Sequence, residues 1–113
     1  MIVKIYEFPH YSDIPIDKGY IESDEFSISM FWDMCNWHVR RLPKPENLHS
    51  DIEYCDHGIV FVNPETNIHY MALSIGWLQG TEQGIQNWVT QHKSEIFWML
   101  SEEEIREGKD FVV

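Results

Sequence analysis

Residues 51–77, DIEYCDHGIVFVNPETNIHYMALSIGW, decide how this chain folds. Inside them Ile59-Val60-Phe61-Val62 is an unbroken apolar run, rich in β-branched residues and bounded by Gly58 and by Asn63-Pro64. It is too short for a helix and reads as a strand covered on both faces. Asn63 to Asn67 (NPETN) has the chemistry of a tight connection. Asn63 opens it, Pro64 presets φ for the first corner of a type I turn, and Asn67 tolerates a left-handed backbone. A return strand from Ile68 to Ile75 follows. Its alternation puts Ile68, Tyr70, Ala72 and Ser74 on one face and His69, Met71, Leu73 and Ile75 on the other. The two strands form an antiparallel hairpin in the middle of a small sheet.

Working outward, Met1 to Phe8 (MIVKIYEF) is β-rich and stops at Pro9, which suits a strand beside the hairpin. His10 to Lys18 reads as a loop, and Gly19 to Glu22 as a short edge strand. From Ser23 the period becomes helical. Ile28, Phe31, Trp32, Cys35, Val39 and Leu42 recur at spacings of three and four, which predicts a helix over 24–41. Ser23 or Asp24 would cap it, and Arg40-Arg41 would sit at its negative end. Met30, Met34 and Trp37 widen the apolar surface beyond that stripe. Pro43 to Ser50 reads as a polar loop, and Ile52-Glu53-Tyr54 as the possible start of a strand. Leu78-Gln79-Gly80 reads as a break. Thr81 or Gln83 then opens a second helix carrying Ile85, Trp88, Val89 and His92, which either continues through Ile96, Phe97 and Leu100 or kinks near Lys93-Ser94. Ser101-Glu102-Glu103-Glu104 fits a capping box, and Gly108 ends a short helix behind it. The expectation is a single α+β domain over residues 1–113: an antiparallel sheet built on the hairpin, with two main helices packed on it.

At 113 residues the chain can bury a core without cross-links, and 43% apolar content argues against wholesale disorder. No apolar signal region opens it and no stretch is long enough to span a bilayer, so a cytoplasmic location is expected. Two cysteines, Cys35 and Cys55, do not make the dense framework of a small secreted domain, and free thiols are expected.

Nineteen acidic residues against eight basic ones give a formal charge of −11. Such a surface repels nucleic-acid phosphates and anionic membranes, so a basic protein is the partner class it suits. The competing explanation is that the acidity only keeps the chain in solution. The acids lie beside aromatic residues in three places. Tyr11, Asp13 and Asp17 occupy the first loop; Glu22, Asp24 and Glu25 precede the long helix; Asp51, Glu53, Tyr54 and Asp56 precede the hairpin. If two of these clusters share a side, they would steer a Lys/Arg-rich groove towards exposed rings.

Other chemistry is less well supported by pattern. Cys35 and His38 would lie one helical turn apart, and Cys55 and His57 two apart on an extended segment; two Cys and two His form a set that zinc accepts. The spacing is not that of a standard zinc finger, and Cys35 also suits a buried core position. A Cys55 nucleophile served by His57, His69 or His92 is opposed by Asp51 and Asp56, which would raise its pKa. No Gly-rich phosphate loop, HExxH, GxSxG or Walker pattern occurs. The resulting expectation is a small acidic binding protein without catalysis or cofactor. It would neutralise a basic, nucleic-acid-handling partner in the way of immunity proteins or phage-encoded inhibitors, presenting carboxylates where phosphates would bind. A zinc-binding regulatory module and a small enzyme of unknown reaction are the alternatives.

Overall fold

A computed structural model describes residues 1–73, 76–93 and 111–112. Seven strands and two helices follow in the order β1 (Ile2–Glu7), β2 (Ile16–Glu22), α1 (Ile28–Cys35), β3 (Leu48–His49), β4 (Ile59–Asn63), β5 (Ile68–Leu73), β6 (Gly76–Gly80), α2 (Glu82–His92) and β7 (Phe111–Val112). The strands form one sheet in the order β3-β2-β1-β4-β5-β6-β7. Every neighbouring pair is antiparallel except β6 and β7. The architecture is α+β.

The turn chemistry of NPETN acts as its residues dictate. Asn63 Oδ1 accepts from the Glu65 amide at 3.0 Å, the Asn67 amide donates back to the Asn63 carbonyl at 2.8 Å, and Asn67 takes a φ of 58°. Val60 then lies opposite Met71 and Val62 opposite His69. Alternation splits the apolar residues of the sheet between two cores. Val3, Ile5, Ile21, Ile59, Phe61 and Ala72 join Phe31 and Cys35 of α1 on one face. Phe8, Val60, Met71, Leu73 and Leu78 join Ile85 and Val89 of α2 on the other.

Several expectations fail for local reasons. The long helix is only eight residues, Ile28 to Cys35, and its cap is Ser27, whose Oγ accepts from the Met30 amide at 3.3 Å. Ser23 is not the cap: its hydroxyl donates to the Glu25 carbonyl at 2.7 Å in a local turn that competes with helix. At the far end, Asn36 closes onto the Trp32 carbonyl and accepts from the Cys55 amide, both at 2.9 Å. The Trp37 indole donates to the Ile52 carbonyl at 2.8 Å, and Arg41 adopts a φ of 57°. The chain beyond Cys35 is therefore drawn onto the 50–57 loop as a series of turns, and Val39 and Leu42 end up exposed. The cysteine and histidine at 35 and 38 do not share a helix.

The edge strand read at 19–22 begins at Ile16 and has a register shift opposite Ile5/Tyr6, where Ile5 faces Gly19 and Tyr6 faces Asp17. Gly19 is needed there, since its φ is 94° and a Cβ would run into the His49 carbonyl oxygen. The loop read at 43–50 contains β3, which adds Leu48 to the core. Ile52-Glu53-Tyr54 forms no strand; Ile52 is buried and its two followers are exposed. Leu78-Gln79-Gly80 is the second half of β6, not a break. α2 starts at Thr81, whose Oγ1 accepts from the Gly84 amide at 3.0 Å. The expectations for Ser74 and Ile75, for the helix continuing through Ile96, Phe97 and Leu100, and for the capping box at 101–104 with Gly108 lie outside the described residues.

Candidate functional site

The acidic residues are the natural starting point, and the fold separates them by use. Asp13 makes its contacts within the chain, at the surface. Its carboxylate lies 3.3 Å from both Lys93 Nζ and Thr90 Oγ1, and its carbonyl accepts from Gln86 Nε2 at 2.7 Å, so it ties the first loop to α2. The hydrogen bond from Lys93 holds its carboxyl below the ordinary carboxylate value. Asp17 accepts from the Gly19 amide at 2.8 Å and fixes the bulge. Asp56 accepts from the His57 amide at 2.8 Å and lies 3.6 Å from His10 Nε2. Tyr11 stands beside that same His10, exposed, with a φ of 64°.

Five other carboxylates lie towards the β3 edge of the sheet. Glu22 ends β2 and reaches His49 Nε2 of β3 at 3.3 Å, while its backbone is clasped by Asn47 on both sides. Asp24 and Glu25 follow in the turn to α1; Asp51 and Glu53 follow β3. Because β3 has only two residues, the two groups flank it at a separation on the order of 13 Å. All five side chains are exposed, as are Tyr54 and Glu46. Glu46 was missed in sequence because its neighbours read as a plain loop; nothing local marked a strand two residues later. Glu22, Asp24 and Glu25 also line a broad open depression of about 900 Å³ with Met1, Met30 and Asn47. The Met1 amino group donates to the Ser23 carbonyl at 2.6 Å within it, a local positive charge among the acids.

The aromatic side of the expectation is narrower. Trp32, Trp37, Trp77 and Trp88 are partly buried, and among the described residues the rings most open to water are Tyr11, 62% exposed, and Tyr54, 60% exposed. Only Tyr54 is on the acidic edge, carried by the loop that receives Trp37.

The cysteines and histidines arrange themselves differently from the zinc reading. Cys55 packs against the core that holds Cys35, its Sγ 3.9 Å from the Trp32 carbonyl, one turn before Cys35. Both thiols are free. His38 is exposed, and the buried Nδ1 of His57 has no hydrogen-bond partner among the described residues. No group of three or more His, Cys, Asp or Glu side chains converges among the described residues. The neighbouring Cys35 thiol first, then burial, push the Cys55 thiol above its ordinary value, and Glu7 and Asp56 add to this. A thiol so held is a poor nucleophile. His69 lies on β5 and bonds to Tyr6, and His92 stacks on Trp88 with ring centroids 4.1 Å apart.

Among the described residues no helix is long and apolar enough to cross a membrane. No family model matches this chain, and comparison with curated proteins and with solved structures found no match.

Proposed function

We propose that this chain is an acidic binding protein that neutralises a basic, nucleic-acid-handling protein in the cytoplasm, without catalysis or cofactor. The observation that carries the reading is the flanking of β3 by Glu22, Asp24 and Glu25 on one side and Asp51 and Glu53 on the other, all exposed, in a molecule of net charge −11. Fixed carboxylates along a sheet edge raise the local concentration of a cationic partner and speed its docking. Rigid backbone holds them: Asn47 clasps Glu22, and β3 fixes where Asp51 begins. Tyr54 supplies an amphipathic ring of the kind that anchors interfaces. A carboxylate row presented this way occupies a groove built for phosphates. Two cysteines packed in one core, both reduced, suit the reducing compartment.

The test is to capture the partner from the source cells on immobilised protein, purify it and titrate it back. Binding should weaken as salt rises from roughly 0.05 to 0.5 M, as expected of exposed charges. The triple variant Glu22→Lys/Asp24→Lys/Glu25→Lys should slow association most, while Glu65→Lys, on the distant β4–β5 turn, should change little. A partner whose binding ignores both salt and the triple variant sinks the proposal.

A further inference from the structure

Among the described residues α2 packs on β5 and β6, with the half of that sheet face made by β1 and β2 open beside it. Two adjoining cavities occupy the space. The larger, about 440 Å³, is walled by Phe8, Pro15 and Tyr20; the smaller, about 330 Å³, by Val62, Pro64 and His69. Ile2, Lys4, Tyr6 and Glu82 line both and join them into one groove. Volumes of this order match small-molecule sites, which run from about 300 to 1,000 Å³.

The charged side chains of the shared wall are unspent among the described residues. Neither Lys4 nor Glu82 makes an ion pair or side-chain hydrogen bond among the described residues, although they line the same two cavities. His69 is only 5% exposed, yet its one hydrogen bond is the 2.7 Å contact of Nδ1 with the Tyr6 hydroxyl. Its Nε2 has no partner among the described residues, and the ring lines the smaller cavity. Burial, with Glu82 adding, keeps the Tyr6 phenol protonated far above its ordinary range. A protonated phenol is the better donor to Nδ1, which leaves the ring hydrogen on Nε2. Burial lowers the His69 pKa against the pull of Glu82, so the ring is neutral and Lys4 is the wall's cation.

A purely anionic ligand would meet Glu82 and Asp17, and a purely cationic one would meet Lys4. A zwitterion with an apolar body answers every group. We infer that the groove binds a free α-amino acid with a large apolar side chain. Its carboxylate takes Lys4 Nζ and the His69 Nε2–H, its ammonium takes Glu82, and its side chain fills the larger cavity against Phe8, Pro15 and Tyr20. The groove adjoins the acidic depression at Ile2 but draws on none of its carboxylates, and it does not depend on the reading given to that edge.

Calorimetric titration of the full chain tests it with three probes: L-phenylalanine, 3-phenylpropanoate, which lacks the ammonium, and 2-phenylethylamine, which lacks the carboxylate. L-phenylalanine should bind saturably with 1:1 stoichiometry, and each truncated probe should bind at least about tenfold more weakly. Lys4→Met should remove most of the preference over the amine, and Glu82→Gln most of the preference over the acid. Both positions are exposed, so the fold should persist, which circular dichroism checks. Equal binding of all three probes, or no saturable binding of L-phenylalanine up to roughly 10 mM, overturns the inference. Unchanged affinity in both variants overturns it as well.

Discussion

The two faces of the sheet are covered to different extents. On the α1 face a layer of rings closes over the strands: Phe26 meets Phe31 and Tyr70, Phe31 meets Phe61, and Trp77 meets both Phe61 and Trp32. The 50–57 loop completes the cover by burying Ile52. On the α2 face, among the described residues, one helix supplies Ile85 and Val89, and the β1–β2 half forms a groove. The first face is built by packing and the second is left partly polar. Stability and binding are thus expected to separate by face.

The sharpest way to break that comparison is to empty the ring layer. Phe61→Ala should cost about 3–5 kcal/mol, because its cavity opens under rings that cannot all close in. Chemical denaturation would measure it, and a loss under about 1 kcal/mol would show the face to be adaptable. Gly19→Ala comes next, at about 2–3 kcal/mol, since a left-handed φ and a carbonyl in the path of the Cβ act together. On the groove face Tyr6→Phe should cost about 1–3 kcal/mol by leaving the buried Nδ1 of His69 without its donor.

A pH titration sharpens the contrast further. His69 has a lowered folded pKa, so the unfolded chain takes up its proton first. The stability it protects is complete above the ordinary value of about 6.5 and is lost as pH falls from there towards the folded pKa. Melting temperature should therefore drop between about pH 7 and 5 in the parent chain, and the slope should flatten in His69→Asn. An unchanged slope would mean the ring is not held neutral. The smallest effect belongs to the acidic edge: Asp51→Asn with Glu53→Gln should alter stability by less than about 0.5 kcal/mol while slowing capture of a basic partner.

How far the chain could be read in advance follows the same division. The hairpin and its faces were legible because alternation and turn chemistry are local: Asn67 adopts the left-handed backbone its residue type allows, and Ala72 and Met71 fall on opposite cores. The end of α1 was not legible, because the apolar stripe ran on to Leu42. What stops the helix is a contact from elsewhere, the Cys55 amide on Asn36 and the Ile52 carbonyl on Trp37, at sequence separations of 19 and 15. The two-residue β3 is too short for any periodicity to show. The gathering of acids was foreseeable only as a condition. Asp13 and Asp17 make contacts within the fold, and β3 sets Glu22 to Glu25 and Asp51 at its two ends. The Tyr6–His69 pair joins positions 63 residues apart and had no signal in either segment alone.

The brevity of β3 has one more consequence. A sheet that ends in so small a strand leaves backbone amides and carbonyls of its neighbour open to pairing, the usual route by which copies of a β-protein stack into fibres. Here any approaching sister molecule brings the same row of negative charge to the same margin. On the proposed reading, that border favours a cationic partner over a second copy of the chain.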